Sequence, residues 1–182
     1  MTSMITCPNH GKLSEKKYSS IRLKDVAEVF QDYKKPALFL SVCFCDWKCC
    51  KEAGIPVTVC QNHSVINQVN HELSFSSLLK MVQSSYTDAV LFAGLEPFEQ
   101  ADEVIQCIEY LRANGVQKDI VIYTGYYPEE IDPDTISRLA SCDIIMKCGR
   151  FVPNSSPRFD EVLGITLVSD NQYGVRLTNR TI

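Results

Sequence analysis

The sequence predicts an α/β fold on a mainly parallel sheet, and three observations predict it. Short apolar runs alternate with amphipathic segments of helix length, the strand candidate at 37–43 is apolar on both faces, and strand–helix–strand spacing of this kind implies parallel pairing through right-handed crossovers. At 182 residues, 45% hydrophobic and 22% charged, the chain has the size that one core can organise. Residues 1–182 therefore read as a single domain, with 1–18 a poorly ordered N-terminal extension.

Residues 19–33 carry a helical pattern, with Ile21, Val26, Val29 and Phe30 on one face and Ser19 or Ser20 as the cap; Pro36 closes the segment. The run ALFLSVC at 37–43 is short and apolar on both faces, which suits a fully buried strand, and a cysteine-rich loop follows it at once. A helix at about 74–84 leads to the strand AVLFA at 89–93, and a long amphipathic helix at about 98–113, stopped by Gly115, leads to IVIYT at 120–124. A helix near 134–140, capped by Asp132 or Asp134, precedes the strand DIIMKC at 143–148. The tail, with Pro153, Pro157 and SDNQYG, reads as a loop, a strand at about 164–168 and a turn before VRL.

In parallel α/β sheets ligands sit at the carboxyl ends of the strands. Here those ends carry the cysteines, then Gly94-Leu95-Glu96-Pro97, then Thr124-Gly125-Tyr126, then Gly149-Arg150. Polar and glycine-containing segments thus gather on one rim.

Composition narrows the function classes. A formal charge of −4 and a pI near 5.4 argue against a broad phosphate-neutralising surface, so no nucleic-acid partner is expected. No run of about 18 apolar residues and no secretory h-region is present, so the expectation is a cytoplasmic protein without a membrane span. Five of the nine cysteines fall between positions 43 and 60, and in a reducing compartment such clustering favours metal binding over disulfides.

Within CFCDWKCCKEAGIPVTVCQNH, Cys45 and Cys49 are separated by three residues and Cys60 follows ten residues later. Three thiolates can hold a [4Fe–4S] cluster with one iron left open to a small ligand. The same spacing with His63 is also a zinc arrangement, and Cys43 and Cys50 are close rivals for a ligand position. Spacing alone leaves these alternatives open.

Taken together with Gly94-Leu95-Glu96-Pro97, Thr124-Gly125-Tyr126, Asp143, Gly149-Arg150-Phe151 and Ser169-Asp170-Asn171-Gln172, the cysteine stretch resembles the activating component of anaerobic (class III) ribonucleotide reductase, a radical-SAM family. The resemblance spans roughly residues 37–177. It implies a [4Fe–4S] cluster on Cys45, Cys49 and Cys60, and S-adenosylmethionine bound by Ala93, Gly94, Leu95, Glu96, Thr124, Gly125, Tyr126 and Asn171. In the family's motif the second cysteine gap is two residues where this chain has ten, and a second glycine stands where this chain has Leu95.

The implied reaction is reductive cleavage of S-adenosylmethionine, with an electron from a flavodoxin-like donor, to install a glycyl radical on the reductase's catalytic subunit. A full eight-unit barrel takes about 250 residues, so the implied fold is a partial (β/α) barrel of radical-SAM type, open on one side. Two further readings stand beside it: a radical-SAM enzyme acting on another protein or a small molecule, and a non-catalytic module stabilised by zinc on Cys45, Cys49, Cys60 and His63.

The remaining candidates have bland readings. Cys107 lies on a helical stripe with Val104, Ile108 and Leu111 and reads as a core thiol; Cys142 reads the same way. Cys148 ends a strand on the functional rim. Cys7 and His10 supply only two ligands, which do not make a metal site. Trp47 either shields the metal or packs in the core, and Tyr126 and Tyr127 either line the ligand pocket or cover the sheet edge.

Overall fold

The structure is a computed structural model that describes residues 11–179. In place of the single helix expected over 19–33 it has two strands, β1 (Ser20–Leu23) and β2 (Asp25–Val29). The true period is two: Ile21 and Leu23 are both buried, while Arg22 between them turns outward to pair with Glu103. Phe30, assigned to the helical stripe, is 69% exposed.

The chain continues through β3 (Ala37–Ser41), the short helix α1 (Lys48–Ala53), 3-10 turns at Val57–Val59 and His63–Asn67, and β4 (His71–Ser74). Then come α2 (Phe75–Ser84), β5 (Ala89–Ala93), a 3-10 turn at Pro97–Gln100, α3 (Ala101–Ala113) and β6 (Asp119–Tyr123). The last elements are α4 (Pro133–Ser141), β7 (Ile144–Cys148), β8 (Arg158–Asp160), β9 (Ile165–Leu167) and β10 (Tyr173–Leu177). Caps fix two of the helix starts. The Ser74 hydroxyl accepts from the Ser77 N–H at 3.1 Å, and the Asp132 carboxylate accepts from the Asp134 N–H at 3.1 Å, ahead of Pro133 at the first helical position.

The main sheet runs β10-β7-β6-β5-β3-β2. Its four central strands, β3, β5, β6 and β7, are parallel, whereas β2 and β10 pair antiparallel at the two ends. One face, built from Leu38, Leu40, Val90, Phe92, Ile120, Ile122 and Ile144, forms one core with Leu78 of α2, Ile105 and Ile108 of α3 and Leu139 of α4. The opposite face, with Ala37, Ala89, Leu91, Ala93, Val121 and Ile145, packs against Tyr33, Leu163 and Leu167. Here β8 and β9 pair as a two-stranded ribbon, and the face they cover is called the inner face below.

Residues 11–18 run along α3, with Gly11 reaching α4. The Ser14 N–H donates to Asp102 at 3.0 Å, the Tyr18 N–H donates to Gln106 Oε1 at 2.8 Å, and the Gly11 carbonyl accepts from the Thr135 hydroxyl at 2.7 Å. Cys7 and His10 lie outside the described residues.

The strand starts are knitted together by Arg112. Its guanidinium donates to the carbonyls of Cys142, Val116, Lys118 and Asp143 at 2.8–2.9 Å, joining α3 to the beginnings of β6 and β7. Arg112→Met strips four carbonyls of a charged donor and is expected to lower stability by about 2–4 kcal/mol, read as a lower urea midpoint at unchanged slope.

Candidate metal centre

β3 delivers the chain to the carboxyl-end rim, and the cysteine loop begins there. Cys45 and Cys49 sit half-buried, Cys60 likewise, while Cys43 and Cys50 are buried; all five are free thiols. Trp47, between the first two, adopts a left-handed conformation at φ 60° that turns the loop into α1. Its ring packs against the core and lies 5.9 Å from the His63 ring.

Burial is the first cause raising the thiol of Cys45, to about 12, with the charges of Glu96 and Cys49 adding to it. Burial likewise lifts Cys49 to about 11, reinforced by the Cys50 and Cys60 thiols. Cys49 is thus the thiol that feels the others, Cys50 first and then Cys60, and it acts in turn on Cys45. Cys43 is different: its electrostatic neighbours are Lys24, Arg22 and Glu103, and its N–H donates to Gln100 Oε1 at 2.7 Å.

Among the described residues, no three His, Cys, Asp or Glu side chains already converge on a metal-binding point. The donor set nevertheless fits a thiolate-bound iron–sulfur group. Three half-buried thiols belong to one loop, and for Cys45 and Cys49 ionisation, opposed by burial and by neighbouring thiols, is the step that a positively charged metal favours.

The segment after β5 supplies the second part of the site. Glu96 is buried, and its carboxylate accepts from the Thr124 hydroxyl at 2.7 Å, the Gly125 N–H at 2.9 Å and the Phe98 N–H at 3.1 Å. Burial raises it to about 7 against the pull of those three donors. A carboxylate offers about four acceptor positions, so one remains on Oε2. The Glu96 N–H donates to the Phe44 carbonyl at 2.7 Å, tying this residue to the start of the cysteine loop.

Gly94 closes the same corner. Its φ is +92°, its carbonyl accepts from Asn62 Nδ2 at 2.5 Å, and a Cβ there would stand 2.7 Å from Ser41 Oγ. Gly94→Ala is expected to cost about 1–3 kcal/mol, visible as a lower melting temperature.

The other sequence candidates divide by face. Ala93 belongs to the inner face. Leu95 and Tyr126 bury their side chains in the helix-side core, and the Tyr126 hydroxyl donates to Glu99 at 3.0 Å. Thr124 is buried and acts on Glu96; Gly125 does so through its N–H. Asn171 donates to the Tyr127 hydroxyl at 2.9 Å and the Arg150 carbonyl at 2.8 Å, leaving a buried Oδ1 without a partner. The two other buried, unpartnered side-chain atoms among the described residues are His63 Nδ1 and Gln172 Oε1, and these residues belong to the cysteine loop and to the turn before β10.

Two features escaped the sequence reading. Lys147 shares the strand parity of the inner-face Ile145; burial lowers its ammonium to about 8, while Glu96 and the Cys148 and Cys49 thiols pull it upward. Its position as a lone cation within DIIMKC was the available signal. The second is an ion-pair network joining Lys48 and Glu52 of α1 to Glu130 and Arg150, which no local pattern announces.

Residues 34–168 match the family model of a 4Fe-4S single cluster domain. No curated protein and no solved structure matches the chain.

Proposed function

The chain belongs to the 4Fe-4S single cluster domain family, and from that premise we propose that it is a radical-SAM enzyme whose cluster is held by Cys45, Cys49 and Cys60. The observation that carries this reading is the buried Glu96 carboxylate, held by Thr124, Gly125 and Phe98 on the rim that bears the thiols. A buried carboxylate with one acceptor position left is suited to an ammonium group, and the amino-acid end of S-adenosylmethionine carries one.

When bound, the cluster supplies the electron that cleaves the sulfonium of S-adenosylmethionine. The protein's residues do the rest. Glu96 receives the ammonium, Ala93 and Gly94 present backbone beside it, and Lys147, which feels the charges of Glu96 and Cys49, balances the negative charge of thiolate and carboxylate at the rim. Asn171 Oδ1, buried and without a partner among the described residues, would accept a hydrogen bond from the cofactor when it is bound. Leu95 and Tyr126 hold the rim from the helix side, and the ribbon of β8 and β9 keeps water from the lower inner face.

The proposed fold is the partial barrel of radical-SAM type, open on one side: all three long helices share one face of the sheet, and its ends are the antiparallel strands β2 and β10. The proposed protein substrate is the catalytic subunit of anaerobic ribonucleotide reductase, whose glycyl radical the enzyme generates, with a flavodoxin-like electron donor and a cytoplasmic location. No helix among the described residues is long and apolar enough to cross a membrane.

The test is anaerobic reconstitution with iron and sulfide, then dithionite and S-adenosylmethionine, assayed for 5′-deoxyadenosine. Its formation is the expected result; an intact cluster that never yields it would end the radical-SAM reading while leaving the iron–sulfur one. A zinc site on Cys45, Cys49, Cys60 and His63 is the second reading, favoured by the unpartnered His63 Nδ1. Tightly bound zinc in the isolated protein, with no cluster formed on reconstitution, would select it.

A further inference from the structure

The helix that carries Cys49 has only six residues, far below the length at which a helix holds itself together in water. Something outside it must supply its stability. Its C-terminus is closed by Gly54, and Cys50 is buried beneath it, but its solvent side is tied by charge to the loops that follow β6 and β7 on the same rim.

Lys48 Nζ donates to Glu130 Oε1 at 2.6 Å; Arg150 Nη1 meets Glu130 Oε2 at 2.5 Å, and Arg150 Nε meets Glu52 at 2.5 Å. Three of the four side chains are less than one-fifth exposed: Lys48 at 19%, Glu130 at 17% and Arg150 at 13%. Two acids and two bases cancel, and aromatic faces back both cations, with Lys48 5.2 Å from the Tyr126 ring centre and Arg150 4.8 Å from that of Tyr127. The far anchor is itself fixed, since Arg150 Nη1 donates to the Gly125 carbonyl at 3.2 Å and the Arg150 carbonyl accepts from Asn171. A connected, half-buried network of this kind is worth more than isolated surface pairs.

We propose that Glu130 is a positioning residue for the metal-binding thiols: by bridging Lys48 and Arg150 it latches α1, and with it Cys49, across the rim from the cysteine loop to the loops after β6 and β7. This rests on the reading of Cys45, Cys49 and Cys60 as the cluster ligands. The latch makes the arrangement of the thiols depend on the ends of β6 and β7, so ligand binding at Thr124 and Gly125 and cluster retention at Cys49 are mechanically joined.

The test compares the full chain with Glu130→Gln by hydrogen exchange in the metal-free form and by the rate at which a chelator extracts iron from the reconstituted form. The expected result is exchange about tenfold faster over residues 48–54, with the protection of β5, β6 and α3 unchanged, and faster iron loss. Unchanged protection over 48–54 would overturn the latch. If Glu130→Gln loses protection everywhere, the parent chain in about 1 M salt decides: selective opening of 48–54 supports the latch, since screening weakens ion pairs, and uniform behaviour overturns it. A parent chain that builds no cluster at all refutes the ligand reading, whereas the exchange arm still judges the latch.

Discussion

Cys60→Ala is expected to reduce iron after anaerobic reconstitution from about four atoms per chain, the content of one [4Fe–4S] group, to the level of a reagent blank. Cys45→Ala and Cys49→Ala should do the same. The physical reason is the donor count: three thiolates are the fewest that hold such a cluster with one iron open, so two leave it without its third anchor. Cys107→Ala makes the contrast. That thiol is wholly buried in the helix-side core, so its loss should spare the iron and cost roughly 1–2 kcal/mol in stability. Cys43→Ala should also retain iron, because Cys43 lies among Lys24, Arg22 and Glu103 and not with the trio. Iron retained in Cys60→Ala but lost in Cys50→Ala would transfer the third position to Cys50, whose thiol neighbours that of Cys49.

The parallel strands were legible because their composition admits little else. AVLFA is short and apolar on both faces, DIIMKC is short and apolar but for Asp143 and Lys147, and the structure has β5 and β7 there. The edge strands were not. In 19–33 the apolar residues fit a helical stripe as well as an alternating one, and the choice between them is made by pairing with β3 and β4, which no local pattern contains. The rim was legible for a related reason: loops following parallel strands must share one edge, so Gly94, Glu96, Thr124 and Gly125 could be grouped before any contact was known. The face on which each side chain falls was not. Leu95 and Tyr126 turn to the helix-side core, and that depends on how the chain leaves each strand. Glu130 could not be found by spacing, since its partners Lys48 and Arg150 lie 82 and 20 residues away.

Glu96 yields the second large effect, because burial drives stability and ligand binding in opposite directions at this carboxylate. Its folded value, about 7, lies above the ordinary 4.5. The folded state therefore binds the extra proton, and the stability from this group is fully present below about pH 4.5 and lost as pH rises through about 7. The shift corresponds to something on the order of 3 kcal/mol. Glu96→Gln should remove most of that slope, so that the melting temperature of the metal-free variant falls less between pH 5 and pH 8, roughly the span over which the group titrates. Affinity for an ammonium ligand must run the other way, since only the carboxylate receives it. Binding of S-adenosylmethionine to the reconstituted protein should weaken by up to about tenfold per pH unit below 7. In Glu96→Gln at about pH 8 it should be weaker on the order of 100-fold, a charge-assisted contact having been lost. The two measurements separate the roles of the residue. A variant that loses the stability slope yet binds S-adenosylmethionine like the parent would leave Glu96 as no more than the cap of the turn at Pro97–Gln100. Loss of both ties the cost of burying the carboxylate to the ligand it meets.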